Sequence, residues 1–189
     1  MTEIKRCHWC GNDPLYMDYH DNEWGRPEYD NQKLFELLLL EGAQAGLSWI
    51  TVLRKRENYR KAFDQFNPEK IARYSAEKKA RLLANEGIIR NRLKIESAVK
   101  NAKAYLAMQK NGEDFSEFLW SFVGGKPLQH KRKTIGQVPA STPESDAMSK
   151  ALKKKGFNFV GSTICYAFMQ AAGMVNDHMA NCHYHSPNS

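Results

Sequence analysis

The chain has 189 residues, 28 Lys+Arg against 21 Asp+Glu for a formal charge of +7, and 42% hydrophobic residues, 11% of all residues being aromatic. That is enough apolar material for one domain with a sizeable core, and it excludes disordered and collagen-like chains. The longest apolar run, residues 164–169, is far short of the roughly 20 residues a membrane span needs. Charged residues also stand where a secretory signal would carry its apolar stretch, so a cytoplasmic location is expected. The positive balance suits a polyanionic partner, since each phosphate neutralised by Lys or Arg releases a condensed counterion.

In chain order, apolar residues recur at helical spacing with no stretch of period-two alternation, which predicts an all-α fold. Helices are expected near 31–41, 44–62, 76–85, 91–111, 114–123, 162–173 and 175–182. Two more should start at Pro68 and Pro143, where Asn67 and Thr142 stand as caps before a proline and an acid follows it. Gly87, Gly112 and Gly156 read as stops. Residues 124–139 carry basic residues, glycines and prolines without a helical stripe, so this stretch is a solvated loop or a DNA-facing arm.

Four cysteines, Cys7, Cys10, Cys165 and Cys182, are present. Without an export signal they point to burial or metal binding rather than disulfides. Histidine and cysteine crowd the chain ends, with Cys7, His8, Cys10 and His20 at one and His178, Cys182, His183 and His185 at the other. His178 and Cys182 are four apart and share a face if helical, and Cys7 with His20 completes a Cys2His2 set. Such an ion would be structural, because four protein ligands leave no place for water. The plainer alternative is a set of ordinary thiols and a histidine-bearing tail.

Trp9, Tyr16, Tyr19, Trp24, Tyr29 and Trp49 are interleaved with Asp13, Asp18, Asp21, Glu23, Asp30 and Glu41. Aromatic faces with carboxylates suit a flat cation, although a core of tryptophans under a solvated acidic face explains the same pattern. Residues 153–161 (KKKGFNFVG) precede an apolar helix, forming a hairpin whose amides can meet a phosphate at that helix's start. Residues 86–92 (EGIIRNR) make a similar turn. Paired helices of this kind are common, and the hairpins are not specific alone.

Three segments together carry a resemblance: residues 13–25 (DPLYMDYHDNEWG), 41–53 (EGAQAGLSWITVL) and 156–166 (GFNFVGSTICY). They resemble the constitutive, zinc-containing 3-methyladenine DNA glycosylases, a divergent branch of the helix-hairpin-helix DNA glycosylase superfamily, over about Arg6 to Cys182. The resemblance implies an all-helical, two-lobed fold in one glycosylase domain, with the base pocket between lobes and the termini tied by one structural zinc ion. It places the metal on Cys7, His20, His178 and Cys182, leaving Cys10, His183 and His185 as non-ligands. It places the base pocket on Glu41, Trp49, Tyr16 and Tyr19 with Trp9 close by, and the phosphate-binding hairpin on Gly156, Phe159, Gly161, Ser162 and Thr163. Leu47 is the expected plug for the gap in the duplex.

The implied reaction is release of 3-methyladenine from double-stranded DNA containing alkylated bases, giving free 3-methyladenine and an abasic site. N3 methylation makes the base a cation and a good leaving group, so little acid catalysis is needed once the nucleotide has left the stack. Trp49 and Tyr16 would stack on the ring while Glu41 accepts from its exocyclic amine. Ser162 and Thr163 follow Gly161 where strand-cleaving relatives carry a lysine, so no lyase step is expected. Asp177 reads as the partner that orients His178 or, alternatively, as support for the sugar cation. A monomer is expected, since one face must stay open to DNA. The competing readings are a zinc-stabilised DNA-binding module without catalysis and a metallohydrolase, which would need an open coordination position.

Overall fold

The computed structural model describes residues 4–185. Nine α-helices are formed among these: α1 (Pro14–Asn22), α2 (Asn31–Gln44), α3 (Trp49–Ala62), α4 (Pro68–Ile71), α5 (Ala76–Ala84), α6 (Arg92–Lys110), α7 (Phe115–Trp120), α8 (Pro143–Lys154) and α9 (Ser162–Ala171). The expected all-α architecture is therefore found. No helix among the described residues is long and apolar enough to cross a membrane.

Local chemistry sets the helix ends. Asn67 and Thr142 accept from the amides of Lys70 and Ser145, three residues on, ahead of Pro68 and Pro143, as their cap-proline pairs predict. Asp13 does the same before Pro14, accepting from Leu15 and Tyr16; the same signal could have revealed α1, which was not expected. Gly112 and Gly156, with φ of 77° and 96°, close Schellman motifs: Gly112 N–H bonds Gln109 and Glu113 N–H bonds Met108, while Gly156 bonds Lys153 and Phe157 bonds Leu152. Gly87 has no such role, because α5 stops earlier, at Ala84.

One contiguous apolar core runs through the helices, with Phe35, Leu38, Ile71, Leu119, Leu152, Phe168 and Met169 almost fully buried. A small satellite cluster of Cys7, Met179 and Cys182 sits where the two ends of the chain meet. Tight packing brings the hairpin between α8 and α9 against α2: a Cβ on Gly42 would stand 3.2 Å from that of Phe159.

The expected helix over 175–182 is corrected. Val175–Asn176 forms a two-residue parallel ladder (β2) with Leu128–Gln129 (β1), pairing Leu128 with Val175 and Gln129 with Asn176. After it the chain turns irregularly, so Cys182 N–H meets Met179 O rather than continuing a helix. A ladder of two residues is too short to leave alternation in the sequence. It carries the 124–139 loop across the fold, and Ala180 N–H to Arg132 O (2.8 Å) and His183 N–H to Lys5 O (2.8 Å) anchor the irregular segment beyond β2.

Candidate metal centre and base pocket

Cys7, His20, His178 and Cys182 are all buried and bring one ligand atom each within 4.8 Å of one another. Three sulfur–nitrogen separations are 3.6 Å: Cys7 Sγ to His178 Nδ1, Cys182 Sγ to His178 Nδ1, and Cys182 Sγ to His20 Nε2. His178 and Cys182 thus converge without the helix that their spacing suggested. Cys10 stays outside the group, its thiol donating to Cys7 O, and His185 Nε2 donates to His130 O. All four cysteines are free thiols, as expected.

The partners of each imidazole decide which nitrogen faces the cluster. Asp21 accepts from His20 Nδ1 (2.8 Å), leaving the Nε2 lone pair inward, and Arg6 grips Asp21 through Nε and Nη2 at 2.7–2.9 Å. The carbonyl of Trp24 can only accept, so His178 Nε2 (3.1 Å) carries the hydrogen and Nδ1 is free to ligate. The Met179 N–H donates to Cys7 Sγ. The contact between the two sulfurs pushes the Cys7 thiol up and holds the Cys182 thiol down, so the site as it stands disfavours ionising both. A divalent cation supplies the charge that would let both ionise. The residues therefore fit a metal ion with two thiolate and two neutral imidazole ligands.

Asp177 does not orient His178. Its Oδ1 accepts from His130 Nδ1 (2.6 Å) and Arg132 Nε (2.9 Å), and its Oδ2 from Gln170 Nε2 (3.0 Å) and the Tyr166 hydroxyl. Burial opposes its charge, but these donors prevail and leave its pKa below the ordinary carboxylate value. The imidazoles are oriented instead by Asp21 and the Trp24 carbonyl. Both residues belong to the aromatic-acidic group of the sequence, and the adjacency of Asp21 to His20 was the available signal.

Trp9 links the metal cluster to a cavity, with ring centroids 5.2 Å from His20, 5.0 Å from Tyr16 and 4.9 Å from Trp24. The cavity is about 230 Å³ and is lined by Trp9, Tyr16, Tyr19, Trp24, Glu41 and Trp49, together with Gln44, Ile135, Val138, Gln170 and Asp177 among others. All five expected pocket residues thus come together, from the Trp9 turn, α1, α2 and α3. The volume is below the roughly 300–1,000 Å³ of drug-sized ligand sites and suits a single heterocycle.

Of the six acids interleaved with aromatics, only Glu41 reaches the cavity. Asp13 and Asp30 cap helices, Asp18 accepts from Asn22, Asp21 serves His20, and Glu23 pairs with Arg56. Tyr29 lies elsewhere too, stacked on Trp120 at 4.3 Å. Glu41 is 4% exposed, and burial alone raises its pKa to about 8. Glu41 Oε2 and Trp49 Nε1 are the only buried side-chain nitrogen or oxygen atoms among the described residues without a hydrogen-bond partner. An acceptor and a donor left unsatisfied in one aromatic cavity are costly unless a ligand or water engages them.

Leu47 is exposed on the α2–α3 connection, at 43%. In the hairpin, Gly161 caps α9 with no side chain over the helix's first amides, while Ser162 Oγ turns to Asp146 Oδ1 (2.5 Å) and Thr163 is exposed. Phe159 takes φ 53° and is half-buried against α2, so it shapes the hairpin from inside. The 124–139 loop is fixed by its contacts to Asp177 and brings Ile135 and Val138 to the cavity wall.

The family model described as methyladenine glycosylase matches residues 9–185. The chain belongs to the methyladenine glycosylase family. It is 58% identical over 179 residues to DNA-3-methyladenine glycosylase 1 of Escherichia coli, covering 95% of this chain and 96% of that protein. A crystal structure of 3-methyladenine DNA glycosylase I superposes with a TM-score of 0.95 at 59% identity, covering 96% of this chain and all of the other. A tyrosine variant of a 3-methyladenine DNA glycosylase I in complex with 3-methyladenine is similar at a TM-score of 0.89 and 40% identity, covering 94% of this chain and 96% of that one.

Proposed function

We propose that this protein is a monofunctional DNA glycosylase, one domain of two helical lobes, that flips 3-methyladenine out of alkylated duplex DNA and hydrolyses its glycosidic bond. The observation that carries the reading is the pair of unpartnered buried atoms, Glu41 Oε2 and Trp49 Nε1, in a cavity walled by aromatic rings. An adenine edge offers an amine N–H beside ring nitrogens that accept, which is the complement of one free acceptor and one free donor.

The aromatic surfaces of Tyr16 and Trp49, with Tyr19 and Trp9 behind them, attract a cationic ring more strongly than a neutral one. Glu41 is protonated in most free molecules near neutral pH and ionises when the positive base arrives, so its charge is available where the lesion brings the opposite one. A normal adenine brings no charge to offset that ionisation, and selectivity follows. The methylated base departs with its bond electrons, leaving an oxocarbenium-like sugar that water captures to give the abasic site. Leu47 fills the space left in the duplex. Gly156, Gly161, Ser162 and Thr163 present the hairpin and the uncapped start of α9 to a phosphate, and Phe159 holds the turn's shape. With Ser162 after Gly161 there is no amine there for a Schiff base.

The metal is zinc in this reading. Zn–S near 2.3 Å and Zn–N near 2.0–2.1 Å at tetrahedral angles place sulfur and nitrogen about 3.6 Å apart, which is the separation found for three ligand pairs. Cys7, His20, His178 and Cys182 would hold it, and because Trp9 packs on His20 at 5.2 Å the ion would stiffen the pocket wall. The protein works as a monomer with the pocket face open, in a reducing cytoplasm that suits its buried free thiols.

Chromatography of bases freed from N-methylated duplex DNA tests the reading. Wild type should release 3-methyladenine and Glu41→Gln should release it at least about a hundredfold more slowly, the scale of a lost preorganised electrostatic contact. A folded, metal-loaded wild type that releases no base would sink the assignment.

A further inference from the structure

We infer that Lys94 is a positioning residue for duplex engagement: its ammonium group locks the turn that presents Leu47 to DNA. This rests on the glycosylase reading and deepens it at the same site.

Residues 44–47 form a type II β-turn. Ala45 has φ −46° and ψ 119°, Gly46 has φ 79°, and Leu47 N–H closes the turn on Gln44 O at 2.7 Å. Types I and II differ by rotation of the central peptide, whose oxygen here is the Ala45 carbonyl. Lys94 Nζ donates to that oxygen at 2.6 Å and to Ala43 O at 2.8 Å. Rotating the peptide would swing the Ala45 oxygen away and leave the partly buried ammonium with one partner fewer. The lysine therefore selects one of two turn conformations and also neutralises carbonyls at the negative end of α2.

The geometry ties this turn to both halves of the site. Glu41 lies on α2 two residues before the Ala43 carbonyl that Lys94 holds, and Gln44, the first residue of the turn, lines the base cavity. Leu47 comes directly after Gly46 and is exposed. Lys94 itself approaches from the first turn of α6, whose cap Asn91 accepts from the Lys94 N–H at 3.0 Å, so its backbone is fixed. Glycine at 46 is needed for its positive φ alone: a Cβ there would meet nothing within 4 Å. Gly46→Ala thus perturbs the same conformational choice without a clash and without touching Lys94.

Lys94→Met keeps the aliphatic stem and removes the donors. Single-turnover excision from methylated duplex should fall about tenfold or more, while affinity for free 3-methyladenine, read by tryptophan fluorescence, stays within about twofold. Lys94→Arg should restore part of the rate. Gly46→Ala should show the same split and carries the test if Lys94→Met fails to fold. The assignment is overturned if folded variants excise at the wild-type rate, or if free-base affinity falls in step with excision, which would make Lys94 a support of the pocket. A wild type that releases no base from the same duplex defeats the glycosylase reading, whereas an active wild type matched by both variants defeats only the role of Lys94.

Discussion

Gly25 lies so close to the imidazole of His178 that a Cβ at residue 25 would stand 2.9 Å from Nε2 and 3.0 Å from Cδ2. It also has φ 77°, and its N–H donates to Gln170 O at 3.2 Å, so the α1–α2 connection is folded directly onto His178 of the Cys2His2 group and the end of α9. Gly25→Ala combines left-handed strain with displacement of a ligand. A loss of roughly 2–3 kcal/mol is expected, with reduced metal per protein. Calorimetry and metal analysis check it; full metal content with an unchanged melting temperature would show that His178 yields freely.

Removing the metal should be a stability event first. His178→Ala leaves three ligands around a site that joins residue 7 to residue 182, and binding free energy at a structural site is folding free energy. A fall in Tm of about 10 °C is expected for a loss of a few kcal/mol in a chain of this size. Chelation of the wild type should give a similar shift and leave His178→Ala almost unaffected. Zinc content equal to wild type in the variant would remove His178 from the ligand set.

Two buried carboxylates near the cluster should separate cleanly. Asp21 orients His20, so Asp21→Asn should weaken metal affinity by about 10- to 100-fold, measured by competition with a chromogenic chelator. Asp177 bonds His130, Arg132, Tyr166 and Gln170 and makes no bond to His178. Asp177→Asn should therefore keep metal affinity while losing about 3–5 kcal/mol of stability, the cost of leaving a buried ionic network with one partner removed. Its depressed pKa adds a sign: the stability it contributes is present above the unfolded carboxylate pKa and is lost as pH falls through the lower folded value. Equal loss of metal affinity in both variants would contradict the assignment.

The sequence exposed those parts of this architecture that depend on residue type and near neighbours. Asn67-Pro68 and Thr142-Pro143 mark helix starts because a cap and a proline act within one turn, and the convergence of Cys7, His20, His178 and Cys182 is visible because few residue types can ligate a metal. His178 and Cys182 were paired through a helix that does not exist; an irregular turn brings them together, and spacing alone cannot distinguish the two routes. The orienting role read for Asp177 fails for a related reason. Its neighbour in sequence is His178, whereas the partners that claim it are His130 and Arg132, delivered by a ladder of two residues, and Tyr166 and Gln170 of α9. Lys94 was silent because its role depends on carbonyls some fifty positions away.

The titration of Glu41 gives the pH dependence. Its folded pKa, raised to about 8 by burial, exceeds the unfolded value, so the free protein holds a proton that the unfolded chain releases. The contribution to stability is fully present below the unfolded pKa and is lost as pH rises through about 8. Binding a cationic base favours the ionised form, so the two trends oppose each other: as pH rises, ligand-free stability declines while the fraction of protein carrying the carboxylate grows. The quantity that reports the free enzyme is kcat/KM. For excision of 3-methyladenine it should climb with an apparent pKa near 8, and Glu41→Gln should flatten the profile while abolishing the matching loss of stability. A wild-type profile level from about pH 6.5 to about 9, or a rise that survives in Glu41→Gln, would assign the dependence to another group and leave Glu41 ionised before the base arrives.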